Sequence, residues 1–286
     1  MDVVGVYRVR DLRSDLKRAL NGVNVSFDNV KNVFIKPNLC NYMHPSTGAT
    51  TDVKLVESLI QIIREVKPDV PIYIIESDSK AKSLAIAFEL LGYSRLEQKY
   101  NNVKLVNFTK EKLVKRTVNG LHFEEFEFPE LFNECSFFVS MPKLKTFDGS
   151  VDVMTCSLKN QFGCNPDPKK WKYHKFLPQV IYDLNTLFKP DLVIVDALVS
   201  MEGFGPADGI PKRTDLVIVG RNPVFTDMVA AETIGLPWKK VRHLAFAAHK
   251  NRLSRSDLSV IGDDISDIKG TFILPKKSLL KKILRI

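Results

Sequence analysis

The chain has 286 residues, of which 44% are hydrophobic and 26% charged, a composition that excludes disorder along its whole length. No apolar run approaches the roughly 18 residues of a membrane span, and the charged first residues lead us to expect no secretory signal. The formal net charge of +9 suggests a nucleic-acid partner, but the last eleven residues hold five of the basic side chains and no acidic one.

Strand and helix patterns alternate along the first part of the chain, and this alternation is typical of a mostly parallel sheet. In chain order the sequence predicts a strand at Val3–Val9, a helix at Asp11–Leu20, a strand at Val33–Ile35, a helix from Val53 to Ile63, a strand at Ile72–Ile75, a helix from Ser79 to Leu91 and a strand at Val103–Val106.

A hairpin is predicted next. Leu113–Val118 and Leu121–Phe126 flank Asn119-Gly120, a dipeptide suited to a type I′ turn. Further strands are predicted at Phe137–Ser140, Leu192–Val195 and Leu216–Val219, and helices at Val151–Asn160, Phe176–Phe188, Phe225–Ile234 and Lys239–His249. We therefore expect an α/β fold: a mostly parallel mixed sheet flanked by helices, with a β-hairpin near residues 113–126. Residues 1–275 would form one domain or two intertwined lobes.

Polar groups follow four of the predicted strands, where open α/β sheets bind their ligands. These ends are Lys36-Pro37-Asn38, Glu76-Ser77-Asp78, Pro142–Thr146 and Asp196. Each alone would fit a solvated loop or a helix cap, but four together favour a site. Pro37 makes the turn after Lys36 rigid, and a fixed ammonium suits a carboxylate or phosphate.

The predicted site residues fall into two groups. The candidates for substrate binding are Lys36, Asn38, Thr51, Lys143, Lys145, Lys159, Asn160, Gly203 and Gly205. The candidates for acid–base catalysis are Asp78, His174, Asp196 and Glu202. No Walker loop or dinucleotide fingerprint follows a strand, so proton transfer is favoured over hydride transfer.

Metal and thiol chemistry are the open alternatives for cofactors. A divalent metal could use the hard ligands Asp52, Asp78, Asp196, Glu202 and Asp227, although helix capping also explains Asp52 and Asp78. Cys40, Cys156 and Cys164 lie near the motif loops, but no Cys-x-x-Cys spacing is present, so an iron–sulfur cluster is not favoured. Cysteines in a chain without a signal predict reduced thiols and a cytoplasmic protein.

The C-terminal tail, residues 276–286, is basic and carries apolar side chains at helical spacing. A terminal helix docked on the body is one interpretation. A protein, RNA or anionic-membrane contact is the other. The sequence leaves the oligomeric state open, and a homo-oligomer is among the alternatives.

The ordered set of motifs resembles the domain-of-unknown-function family 362 (DUF362) over roughly residues 30–250. The motifs are Val33–Asn38, Thr50–Asp52, Pro142–Thr146, Leu158–Asn160 with Gly163, Pro190–Leu192 with Asp196, Met201–Gly203 with Gly205, Pro206 and Gly209, and Gly220–Pro223 with Asp227.

The resemblance implies an α/β protein of a type common in archaea and anaerobic bacteria, with no settled biochemical activity. His174 matches a histidine that the family often has downstream of its Lys-Asn motif. The chain departs from the family pattern at Phe147, where histidine is frequent, and at Asn222, where aspartate is usual. It also lacks the appended ferredoxin-like segment that many relatives carry, which counts against a redox role.

Three functions remain after these observations. The leading hypothesis is an enzyme-like protein that binds a small anionic molecule and acts by acid–base chemistry, with or without a divalent metal. The first alternative is a nucleic-acid-binding protein that uses the basic surface and tail, although no recognised nucleic-acid-binding motif is present. The second is an accessory protein for iron–sulfur or redox machinery.

Overall fold

The computed structural model describes residues 1–79, 82–147 and 152–274, so the predicted tail at 276–286 lies outside the described residues. The strands are β1 (Asp2–Arg8), β2 (Val33–Pro37), β3 (Ile72–Glu76), β4 (Val103–Asn107), β5 (Leu113–Thr117), β6 (Glu125–Pro129), β7 (Phe138–Met141), β8 (Lys143–Thr146), β9 (Met154–Thr155), β10 (Leu192–Glu202), β11 (Ile210–Gly220) and β12 (Leu258–Gly262). The helices are α1 (Leu12–Gly22), α2 (Val53–Val66), α3 (Leu84–Leu90), α4 (Ser94–Lys99), α5 (Ser157–Asn160), α6 (Leu177–Leu187), α7 (Pro223–Thr233) and α8 (Arg242–Lys250).

The main sheet is mixed, and its strand order is β12-β1-β11-β10-β7-β2-β3-β4, with β8 paired to β10 and β9 paired to β8. The run from β10 through β7, β2 and β3 to β4 is parallel, and so is the pair of β1 with β12. Strand β11 runs antiparallel to both of its neighbours. The predicted fold class, a mostly parallel mixed α/β sheet flanked by helices, is confirmed.

Two apolar cores cover the two faces of the sheet. Successive strand residues point to opposite faces, so Phe34 belongs to one core and Ile35 to the other. Helices α1 to α4 pack on the Ile35 side, and α6 to α8 pack on the Phe34 side. Burial on both faces explains why the central strands are continuous apolar runs. In the described part of the chain, no helix is both long enough and apolar enough to cross a membrane.

The predicted hairpin is present as the antiparallel pair β5–β6, but its second strand begins later than expected, at Glu125. A type I′ turn needs a positive φ at both central residues, and of Asn119 and Gly120 only Asn119 has one. The chain instead forms a longer loop around the Asp183 carboxylate, which accepts backbone hydrogen bonds of 2.7–3.0 Å from residues 121–123. This tertiary contact overrides the local turn preference.

Three predictions near the strand ends were wrong. Residues 143–146 form strand β8 rather than a loop, because both of their lysines are buried between β9 and β10. Asp196 lies inside β10, which continues to Glu202, rather than at a strand end. The helix predicted for residues 151–160 is replaced by β9 and the short α5. Strand β12 and helix α4 were not predicted.

Candidate functional site

The site is built where neighbouring parallel strands end. Lys36 is the next-to-last residue of β2, and Glu76 is the last residue of the adjacent β3. Lys143 begins β8, directly after β7 on the other side of β2. A cavity of about 220 Å³ opens at this edge, which is the place where open α/β sheets bind ligands.

The wall of this cavity is rich in lysine. Among the residues that the structure describes, Glu76 is the only carboxylate that lines it. Its other polar lining includes Asn38, Asn160, Ser77, Thr155, His174 and the thiols Cys40 and Cys156. The lysines on the wall are Lys36, Lys82, Lys143, Lys145, Lys159 and Lys170. Such an excess of ammonium groups in a concave site focuses positive potential on it.

A buried ion pair joins the ends of β2 and β3. The Nζ atom of Lys36 lies 2.8 Å from Oε2 of Glu76, and both side chains are almost completely buried. Lys36 also donates to the carbonyl oxygen of Pro37 at 2.7 Å. Burial alone would raise the pKa of Glu76, but the ammonium groups of Lys36, Lys82 and Lys170 lower it below its usual value. Glu76 is therefore an ionised partner of the lysines around it.

Gly163 allows the backbone to approach this ion pair. A Cβ atom at Gly163 would lie 2.3 Å from Oε1 of Glu76 and 2.5 Å from Nζ of Lys36, closer than atoms can pack. Ser77 secures the same segment, because its hydroxyl lies within hydrogen-bond distance of the carbonyl oxygens of Gly163 and Asn165. A larger residue at this position would therefore displace the charged end of Glu76 or Lys36.

A second buried ion pair lies beside the first. The Nζ atom of Lys143 is 2.9 Å from Oδ2 of Asp196, and neither side chain is exposed. The Asp196 carboxylate also accepts from the backbone N–H of Asp52 at 2.7 Å and of Leu198 at 3.1 Å. Asp196 thus serves as the counter-ion of a wall lysine and does not line the cavity itself.

Lys145 is a buried ammonium without a carboxylate among its hydrogen-bond partners in the described part of the chain. Its Nζ atom donates to Oδ1 of Asn38 at 2.7 Å, to the carbonyl oxygen of Ala49 at 2.8 Å and to Sγ of Cys40 at 3.4 Å. Burial lowers the pKa of Lys145, and the ammonium of Lys143 lowers it further. A bound anion would compensate this charge.

Lys82 and Lys170 are functional candidates that the sequence analysis missed. Lys82 donates to the carbonyl oxygen of Ser77 at 2.9 Å. Lys170 donates to the carbonyl oxygen of Asp78 at 2.7 Å and to the hydroxyl of Ser77. Burial lowers the pKa of both lysines, and that of Lys170 falls to about 7. Neither follows a strand, so no local pattern distinguished them from surface lysines.

His174 and Thr155 complete the polar wall. Burial and the ammonium of Lys159 lower the pKa of His174, whose Nδ1 atom lies 3.2 Å from the carbonyl oxygen of Trp171. The hydroxyl of Thr155 is buried and has no hydrogen-bond partner among the described residues. Because buried polar groups are nearly always hydrogen-bonded, this hydroxyl marks a place where a ligand can bond.

Asp78 and Glu202, the other two predicted catalytic carboxylates, do not line the cavity either. Asp78 accepts from the backbone N–H of Leu84 at 2.7 Å, at the start of α3, and from Nδ2 of Asn107 at 3.0 Å. Glu202 accepts from the backbone N–H of Ile273 at 3.0 Å and lies 3.3 Å from Nζ of Lys212. These contacts explain both carboxylates as structural groups.

Thr51, Gly203 and Gly205 likewise do not line the cavity. The Thr51 hydroxyl donates to the carbonyl oxygen of Met141 at 2.8 Å and accepts from the backbone N–H of Asn38, so it braces the turn after β2. The carbonyl oxygen of Gly203 accepts from the Thr146 hydroxyl at 2.8 Å. A Cβ at Gly205 would lie 2.2 Å from the carbonyl oxygen of Thr146. Gly203 is therefore tied to β8 by a hydrogen bond, whereas Gly205 packs closely against the β8 backbone.

The metal candidates do not converge. Asp52 caps α2 by accepting from the backbone N–H of Lys54 at 2.9 Å. Asp227 accepts from the backbone N–H groups of Ser157 and Leu158 at 2.7 and 3.0 Å, at the start of α5. Within residues 1–79, 82–147 and 152–274, no group of three or more His, Cys, Asp or Glu side chains is arranged to hold a metal ion.

The cysteines do not fit an iron–sulfur cluster either. Cys40 and Cys156 line the cavity, whereas Cys164 is buried and does not. Burial and the nearby Asp227 raise the pKa of the Cys156 thiol, and burial raises that of Cys164 to about 12. An iron–sulfur cluster usually takes four cysteine ligands, and among the described residues only Cys40 and Cys156 of the three candidates line the cavity.

Two known proteins are similar to this chain. A protein described as "Thylakoid-associated protein sll1697" of Synechocystis sp. is 24% identical over 213 residues, which cover 71% of this chain. The match spans 63% of the length of that relative. Among solved structures, the lactate racemase apoprotein from Thermoanaerobacterium thermosaccharolyticum matches with a TM-score of 0.40 and 13% identity, over 71% of this chain and 51% of the other.

The sequence model described as "Domain of unknown function (DUF362)" matches residues 33–232. This range contains the wall residues from Lys36 to Pro206. The family resemblance inferred from the motifs is therefore confirmed, and the chain belongs to the DUF362 family.

Proposed function

We propose that this protein binds a small anionic molecule, a carboxylate or a phosphate, in the lysine-lined cavity and acts on it by acid–base chemistry. The observation that carries the proposal is the composition of the wall, on which six lysines accompany the single carboxylate Glu76 among the described residues. The volume of about 220 Å³ limits the ligand to a small molecule.

Lys145 is the lysine whose environment most favours an anion. Its neighbours supply dipoles and a thiol rather than a carboxylate, so its charge is the one that a ligand would neutralise. Lys36 and Lys143 already have the counter-ions Glu76 and Asp196. The unpartnered hydroxyl of Thr155 supports the same conclusion, because it can donate to an anionic oxygen.

The groups best suited to proton transfer are His174 and Lys170. Both line the cavity, and burial lowers the pKa of each. The pKa of about 7 for Lys170 lies near neutral pH, where a group exchanges protons most effectively. The sequence also offered Asp78, Asp196 and Glu202 for this role, but these three carboxylates do not line the cavity.

The experiment is a calorimetric titration of the protein with inorganic phosphate and with a panel of mono-, di- and tricarboxylates. Lys145→Met removes the ammonium without leaving a buried carboxylate unpaired, and we expect it to weaken binding by about tenfold or more, since a hydrogen bond to a charged group is worth about 1.5–3 kcal/mol. The matched control is Lys31→Met, an exposed lysine before β2. Equal binding by both variants, or no binding by the unaltered protein, would contradict the proposal.

A further inference from the structure

Lys170 differs from the other lysines of the wall in how it is held. Lys170 is half-buried and lines the cavity, and its ammonium end reaches the Ser77 hydroxyl and the carbonyl oxygen of Asp78. No carboxylate is among these partners. We propose that Lys170 is a nucleophile that forms an imine with the carbonyl carbon of a short-chain 2-oxo acid. The inference rests on the proposed anion site, which would hold the carboxylate of that acid.

The hydrogen bonds of Lys170 suit a neutral amine. The Ser77 hydroxyl points its own hydrogen towards the carbonyl oxygen of Gly163 or Asn165, so it acts as an acceptor towards Lys170. The second partner, the carbonyl oxygen of Asp78, can only accept. A neutral amine has two hydrogens and one lone pair. Both hydrogens have acceptors here, and the lone pair is left for an electrophile in the cavity.

Burial, rather than the neighbouring charges alone, brings the pKa of this amine close to neutral pH. Burial is the largest cause of its lowered pKa, and the ammonium groups of Lys82 and Lys36 lower it further. Glu76 and Cys164 act in the opposite direction. The resulting pKa of about 7 leaves roughly half of the Lys170 amines neutral at pH 7. A desolvated lysine beside other cations is a recognised arrangement for an amine nucleophile.

Lys145 provides the contrast within the same cavity. Its three acceptors, on Asn38, Ala49 and Cys40, match the three hydrogens of an ammonium. Burial lowers the pKa of Lys145 as well, but these three acceptors can hold an ammonium, which binds a carboxylate and has no lone pair for attack. In a 2-oxo acid the carboxylate lies next to the carbonyl group. Lys145 would hold the carboxylate, and Lys170 would attack the carbonyl carbon.

The covalent step balances without an oxidant or a reductant. The lone pair of the Lys170 nitrogen forms a bond to the carbonyl carbon, and the carbonyl π electrons move to oxygen, which takes up a proton. One amine hydrogen supplies that proton, and the resulting carbinolamine loses its hydroxyl group and the second amine hydrogen as water. A carbon–nitrogen double bond remains between the ligand and Lys170.

The test is reductive trapping with pyruvate and sodium cyanoborohydride, followed by peptide mapping. The reductant delivers a hydride to the imine and fixes the ligand to its lysine. We expect the label on Lys170, and at least about tenfold less label in Lys170→Arg, which keeps the charge but lacks a neutral amine. The control is Lys169→Arg, an exposed neighbour, which should label as the unaltered protein does.

The outcomes separate this inference from the proposed function. If the unaltered protein binds phosphate or a carboxylate in the titration but its label falls on another lysine or on none, the imine is refuted and the anion site stands. If it binds neither anion, the proposed function itself fails. Peptide mapping of the unaltered protein shows directly whether Lys170 carries the label, so the test holds even if the Lys170→Arg variant does not fold.

Discussion

Lys36 and Glu76 form a buried ion pair, with 2.8 Å between Nζ and Oε2, at the ends of two adjacent parallel strands. The pair lies on the cavity wall, and a second ammonium, that of Lys82, also acts on the carboxylate. Removing two charges from water costs free energy. We therefore infer that this pair is kept for the fixed charges it gives the cavity rather than for a contribution to stability.

The first prediction concerns the energetics of this pair. Glu76→Gln should lower the free energy of unfolding by about 3–5 kcal/mol, because it leaves the Lys36 ammonium buried without its counter-ion. The double variant Lys36→Met with Glu76→Gln should recover part of that loss, since neither charge remains. Urea denaturation of the two single variants and the double variant measures the coupling. Additive losses would show that the pair is not coupled.

The second prediction concerns the close approach at Gly163. Gly163→Ala should reduce anion binding, because its Cβ would displace Glu76 or Lys36. Gly203→Ala is the matched control: its φ of +77° disfavours alanine by about 1–2 kcal/mol, yet nothing lies within 4 Å of the added Cβ. Titration with phosphate should therefore show weaker binding only for Gly163→Ala. A similar loss in both variants would mean that general destabilisation causes it.

The third prediction concerns pH. Burial raises the pKa of Asp227 from an ordinary value of 3.8 to about 6, so the folded state holds a proton that the unfolded state releases. The protonated group stabilises the fold fully below about pH 4, and this contribution of about 3 kcal/mol is lost as the pH rises through about 6. Asp227→Asn should remove this dependence. Denaturation curves between these pH values measure it, and parallel pH profiles of the two proteins would contradict the assignment.

The sequence could predict the sheet edge because strand periodicity and proline are local signals. An apolar run ending in Lys36-Pro37 identified the end of β2, and the parallel arrangement then brought Lys36 close to Lys143 and Asn160. Asn38, Lys145, Lys159 and His174 also line the wall. Their assigned roles in binding and catalysis remain predictions.

Other features depend on contacts that no local pattern encodes. Lys170 reaches the cavity through Ser77 and Asp78, more than ninety residues earlier in the chain. Strand β8 exists because β9 and β10 bury its lysines, although lysine is normally typical of a solvated loop. Glu76 and Asp78 both lie at the end of the same strand, and the sequence pattern does not show which of them faces a cavity. Only the tertiary structure shows that Glu76 lines the cavity while Asp78 contacts the start of α3.

The central claim is that the lysine-lined cavity binds an anion. The most direct test is a crystal structure of the protein soaked in selenate, a tetrahedral oxyanion, with diffraction recorded at the selenium absorption edge. We predict an anomalous peak inside the cavity, within hydrogen-bond reach of Lys145 or Thr155. Peaks confined to the outer surface, with none between Lys36, Lys145 and Lys170, would contradict the account.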